Sequence, residues 1–382
     1  MRINISPKLI TWARERAGLD KKVLLKSFPK LMEWEKGERQ PTLKQLEHFA
    51  AKTHQPIGIF FLPEPPEVNL PIPDFRTMTA THYRQPSPDL METIYLCQQR
   101  QEWYRNFSRI HGHEQLAFIG RKQLSDSVTQ TAKEISGALN FNFQQRQQAG
   151  TWTNALRLFV ERADKSGILV MASGVVGSNN YRKLDPEEFR GFTLADNLAP
   201  LIFINANDTI SAKIFTLAHE LAHLWLGESG ISNMRMEQMP DKETERWCNG
   251  VAAELLVPMA DLDSVYNKKN DLHAEIVRLS RRYKVSTLVV LRRIFDMKVI
   301  TGKTFWNTWN EEFERLMNIE QRSGIGGDFY RTLGVRVSRR FTVALVMSTL
   351  EGQTLFRDAF RMLGIKKNDT FYEIAHQFGF KT

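Results

Sequence analysis

The sequence predicts an α+β fold that is mostly helical, on three observations. Apolar residues recur at helical spacing along most of the chain, bounded by capping residues and glycines. Only three short apolar runs, 168–171, 189–194 and 201–205, read as strands, and they fall together mid-chain. The stretch that follows, 214–227 (IFTLAHELAHLWLG), is apolar on every side of a helical wheel, as a buried helix must be. Four regions are expected: an all-α module at 1–62, a Pro-rich linker and helices at 63–150, a helical domain with a small sheet at 151–320, and a basic helical tail at 321–382.

Composition bounds the function. The chain has 382 residues, 42% of them apolar and 25% charged, which is ordinary for a globular protein of several domains. Two cysteines, Cys97 and Cys248, make no disulfide framework and suit a reducing compartment. The first residues lack the apolar core of a signal peptide, and no apolar run approaches the roughly 18 residues of a membrane span. A cytoplasmic protein without a membrane partner is therefore expected. A net charge of +9 admits nucleic-acid contact without requiring it.

The N-terminal region reads as four short helices. Ser6 and Pro7 start the first, which Gly18 ends; others cover about 20–26, 29–36 and 43–52, with Thr42 and Gln45 forming a capping box for the last. The run WEKGERQPTLKQLEHFA (34–50) resembles the end of the phage-repressor-like (Xre-type) helix-turn-helix family, which implies DNA or partner recognition. The region holds twelve Lys/Arg against six Asp/Glu, yet its third helix is short and carries Glu33 and Glu35, which repel phosphate. Residues 63–90 read as an extended linker, 89–110 as one long helix, 125–139 as a second, and 153–167 as an amphipathic helix leading into the first strand. Beyond the buried helix, 228–243 reads as a polar loop, 244–256 as a helix stopped by Pro258, and 276–301 as two amphipathic helices; 322–330 is a Gly-rich hinge.

Chemistry concentrates at His219-Glu220-Leu221-Ala222-His223. Buried polar groups without partners cost several kcal/mol, roughly 2–7 each, and a metal ion removes that cost. Histidines four apart share one helix face, so both imidazoles can reach a Zn²⁺. Glu220, next to the first, points near the metal but not onto it, where a general base for the activated water belongs. A third ligand must come from elsewhere. Glu245 shares a helix face with Asn249, Ala252 and Ala253, and the small side chains of the two alanines allow close approach; Glu243 and Glu254 are alternatives, and Glu228 is too near the first helix end to reach back easily. An oxyanion donor is also needed, with Tyr181, Arg182 and Asn249 as unranked candidates. A small sheet before such a motif is the zincin arrangement, whose edge strand is a natural place for an extended peptide to add.

The segments FTLAHELAH (215–223) and E-x-x-C-N-x-x-A-A-E-L-L-V-P (245–258), preceded by PDFR in the linker, resemble the ImmA/IrrE family of zinc metallopeptidases. The resemblance implies His219, His223 and Glu245 as zinc ligands and Glu220 as the general base. Cys248 and Val251 stand where that family has Ala and Phe. It further implies an endopeptidase whose protein substrate is a repressor or a toxin–antitoxin partner, with DNA contact and self-association also open. The alternative is a non-catalytic DNA-binding regulator or antitoxin with a structural zinc site, for which Glu220 has no use.

Overall fold

The computed structural model describes residues 2–75, 85–232, 242–322 and 336–380, with backbone alone for 317–322. Among them helices dominate around one four-stranded mixed sheet, an α+β, mostly helical fold as expected. None of these helices is long and apolar enough to cross a membrane. The chain divides into two compact units. One comprises residues 1–71, 78–95 and 179–183; the other comprises 72–77, 96–178 and 184–382.

In the first unit, helices Pro7–Arg16, Lys21–Ser27, Leu31–Glu35 and Leu43–Lys52 surround a core that includes Leu9, Leu24, Trp34, Phe49 and Phe60. Asp20 caps the second helix by accepting from the Lys22 N–H, and Thr42 with Gln45 closes the capping box of the fourth. Glu35 does not face solvent as a free anion. Arg14 at 2.6 Å and Lys21 at 3.0 Å hold it, and they more than offset the effect of burial, so its carboxyl lies below the usual range. Arg182, on the strand Asn179–Lys183, pairs with Asp89 at 2.7 Å and with Glu92.

In the second unit the helix Trp152–Lys165 leads into the strand Leu169–Ser173. The sheet order is Leu169–Ser173, Leu201–Asn205, Gly191–Leu194, Gly230–Ser232; the first pair is parallel and the others antiparallel. Every residue of these four strands is buried beneath helices or neighbouring segments, which explains their nearly continuous apolar runs. Helix Ile210–Leu226 packs on the sheet and Glu243–Leu256 packs on that helix, with Cys248, Val251 and Ala252 in the shared core. The helix Arg339–Leu350 docks on Trp152–Lys165: the Asp164 carboxylate accepts from Ser338 Oγ at 2.5 Å and from the Arg340 N–H at 3.1 Å.

Three local departures have physical causes. The expected loop 228–243 begins with the strand Gly230–Ser232, three residues long and so too short to show alternation. The polar strand Asn179–Lys183 and the helix Phe143–Gln148, started by an Asn142 capping box, carry almost no apolar periodicity. Of the Gly-rich hinge expected at 322–330, all but Arg322 lies outside the described residues, as do 76–84 of the linker and 233–241 of the loop.

Candidate metal centre

The helix Ile210–Leu226 starts where the Thr209 hydroxyl accepts from the Ala212 N–H at 3.2 Å, and it ends at Gly227, whose left-handed φ of 73° turns the chain away. Between them, Lys213 to Trp225 are all buried. The apolar side chains feed the core; Trp225, for one, stacks on Phe118 at 4.4 Å between ring centroids. His219 and Glu220 are wholly buried and His223 is 1% exposed, so bulk solvent does not reach them.

Their partners come from the neighbouring helix and the sheet. Glu245, in the first turn of Glu243–Leu256, reaches His223 Nε2 at 3.0 Å with one oxygen and His219 Nε2 at 3.4 Å with the other. The two Nε2 atoms face each other at 3.0 Å, and Ser232 Oγ lies 3.2 Å from His219 Nε2. The Nδ1 of His219 faces Asn249 Oδ1 at 3.1 Å, one turn after Glu245. With that N–H donating to Asn249, a neutral His219 offers only a lone pair at Nε2.

This donor set fits a divalent ion. An acceptor nitrogen, a second imidazole nitrogen and a carboxylate converge with too few protons to pair every contact, and a cation among them resolves the mismatch. Ligands about 2.0–2.1 Å from a tetrahedral zinc stand about 3.3 Å from one another, close to the 3.0–3.4 Å edges here. His219, His223 and Glu245 are all buried, with potential ligand atoms within 4.8 Å of one another. Burial raises the Glu245 carboxyl, but the His219 and His223 rings against it outweigh that effect and bring it down to about 2, so it stands as an anionic ligand.

Glu220 stands beside this set. Its Oε2 accepts from Thr193 Oγ1 at 2.7 Å, while Oε1 has no hydrogen-bond partner among the described residues. Burial, helped by the Glu245 charge, pushes its carboxyl up to about 7, against the opposing pull of His223 and of the Thr193 and Ser232 hydroxyls. The strand bearing Thr193 runs so near the helix that a Cβ at Gly191 would meet Thr216 Cγ2 at 2.6 Å and Phe203 O at 2.9 Å. Glycine there is what lets the strand deliver Thr193 to Glu220.

The structure thus brings together His219, Glu220, His223 and Glu245. Glu243 is exposed, and Glu254 is engaged by Arg293. Among the oxyanion candidates, Tyr181 is 99% exposed, Arg182 is spent on Asp89 and Glu92, and Asn249 is bonded to His219. Cys248 is a buried thiol outside the donor set, kept protonated by burial and by the nearby carboxylates. Thr193 and Ser232 escape sequence reasoning because only the sheet register carries them to the site.

A buried His-His-Glu group with an adjacent carboxylate, on two packed helices backed by a small mixed sheet, is a donor set able to hold a metal ion. The IrrE N-terminal-like domain, a peptidase family, matches residues 163–295, which include the strands, the motif helix and Glu245. That match supports a metal-dependent peptidase of the ImmA/IrrE type for this stretch. Residues 337–377 match a domain of unknown function (DUF8813). No curated protein matches the chain.

Proposed function

We propose that this chain is a zinc-dependent endopeptidase acting on a regulatory protein, with residues 151–320 carrying the reaction and 1–62 and 321–382 serving recognition. The observation that carries it is the pairing of a three-residue donor set with a base that takes no part in it: Glu220 Oε1 is buried and unpartnered beside His219, His223 and Glu245. A purely structural ion would need the three ligands but not a fourth, ionisable group with one buried oxygen left open.

On this account His219, His223 and Glu245 hold the ion, and Asn249 fixes the His219 ring so that Nε2 faces inward. The chemistry such an ion supplies when bound is Lewis acidity, which acidifies water and polarises a peptide carbonyl. Thr193 anchors one oxygen of Glu220 and leaves Oε1 free to take the proton of the attacking water and pass it to the leaving amine nitrogen. The strand Gly191–Leu194 and the core around the motif helix exclude bulk water from that transfer. Metal analysis of the purified full-length protein tests the donor set: near-stoichiometric zinc is expected, lost in His223→Ala, whereas full occupancy in Glu245→Ala removes that residue as a ligand.

A further inference from the structure

The linker contributes a segment to the sheet. Asp74 forms a parallel bridge with Ile231 of the edge strand. Phe75 N–H donates to Ile231 O at 3.0 Å, and Ile231 N–H donates to Pro73 O at 3.0 Å. On its other side this strand pairs with Gly191–Leu194, so both main-chain groups of Ile231 are taken by the chain's own residues. Ile231 is one residue from Ser232, whose hydroxyl is 3.2 Å from His219 Nε2, so a backbone lying on this edge passes the donor set.

The side chains reinforce the placement. The Phe75 ring stacks on the His223 imidazole at 5.3 Å between centroids and 12° between planes. Its seat exists because residue 230 is glycine: a Cβ there would lie 2.1 Å from Phe75 Cε2. Lys242 Nζ sits 4.9 Å from the same ring and donates to Asp74 O. Ile72 is buried at 8% exposure, whereas Phe75 is only half-buried. Pro71 and Pro73 have no N–H, so the segment cannot build a longer ladder, and two main-chain bonds at Ile231 anchor it.

An edge strand next to a peptidase centre is where an extended substrate adds by main-chain pairing. We propose that residues 72–75 hold the substrate's place as an internal competitor, and that the substrate is an extended peptide segment whose aromatic side chain displaces Phe75 and takes its seat on His223. This rests on the peptidase reading above. A tethered segment competes at a high effective concentration, on the order of millimolar, so the resting protein is held inactive without any further partner.

The test uses the zinc-loaded full chain in a Glu220→Gln background, where binding is read without cleavage. The probe is a fluorescent peptide of residues 70–76 (LPIPDFR), with a second in which its Phe is Ala, followed by anisotropy. Phe75→Ala should bind the first peptide at least about tenfold tighter than the parent and the second about tenfold more weakly than the first, with the gain lost when Gly230→Ala closes the ring's seat. If Phe75→Ala fails to fold, Ile72→Ser, which removes the buried anchor but keeps the ring, should give the same gain. Folded, metal-loaded variants that bind no tighter than the parent would show that the segment is a fixed part of the sheet. With Glu220 intact, tighter peptide binding while repressors from the same cell and the protein encoded beside it stay uncut keeps the segment's occupancy of this edge and sinks the peptidase reading. Glu220-dependent cleavage that neither variant accelerates does the reverse.

Discussion

Asn249 Oδ1 lies 3.1 Å from His219 Nδ1, on the opposite side of the ring from the Nε2 that faces His223 and Glu245. The bond sets which nitrogen carries the proton. Outer hydrogen-bond partners of metal-binding histidines are worth roughly 10–100-fold in affinity. Asn249→Ala should therefore weaken zinc binding by about that factor in a competitive chelator titration, while Asn249→Asp keeps most of it. Unchanged affinity in the alanine variant would remove Asn249 from the account.

Thr193 acts on Glu220 rather than on substrate, through the 2.7 Å bond to Oε2. Thr193→Val keeps the shape and deletes the donor, so the carboxylate can swing and its protonated form gains relative stability. Zinc content should hold, turnover should fall on the order of tenfold, and the rising limb of the pH–rate profile should move to higher pH. Thr193→Ser should restore both. A valine variant with an unshifted pH profile would reduce Thr193 to packing.

Lys213 is buried near the start of the motif helix, its Nζ donating to Ala206 O at 3.0 Å, and burial draws its amine down to about 8 despite Asp208. A lysine whose folded-state pKa is lowered destabilises the fold below that pKa, and the cost disappears as pH rises past the unfolded value. Lys213→Met should thus stabilise the protein at pH 7 by roughly 1–2 kcal/mol, an advantage that shrinks between about pH 8 and 10. A gain that stays constant with pH would mean that packing, not charge, is responsible.

The N-terminal unit should bind DNA weakly without a partner. Its third helix has five residues, and nearby cations are already engaged: Arg14 and Lys21 with Glu35, Arg39 with Glu33 at 3.4 Å. The full chain's DNA binding should be weak and fall steeply with salt. Tight, sequence-selective binding at physiological salt would contradict this.

Local patterns made part of this molecule legible. The helix carrying His219, Glu220 and His223 could be read because an all-round apolar helix with three strongly polar residues poses a solvation problem that a metal ion answers. Glu245 was narrowed to one of several carboxylates by small residues on its helix face, then by resemblance. The places of Thr193 and Ser232 at the site, and that of Phe75 within the PDFR run, were illegible for another reason. Each reaches the site only through pairings 27, 13 and 148 positions distant from its partner in the chain, and the edge strand that brings Ser232 and Phe75 together has three residues. Strand register at that length depends on neighbours, not on local sequence.

The central claim is that Glu220 is the base of a peptidase and not a buried bystander of a structural ion. Glu220→Gln preserves size and hydrogen bonding but removes the proton acceptor, a loss of about 10²–10⁴-fold where general-base catalysis operates. The measurement is cleavage, read by intact mass, when the zinc-loaded protein is incubated with repressors from the same cell or with the protein encoded beside it. The variant should fold, keep its zinc and bind its partner yet leave it uncut, while the parent cuts it. A variant that retains the full regulatory output of the parent in the cell, with output lost instead on deleting residues 1–62 or 331–382, would contradict the enzyme and leave a binding protein in its place.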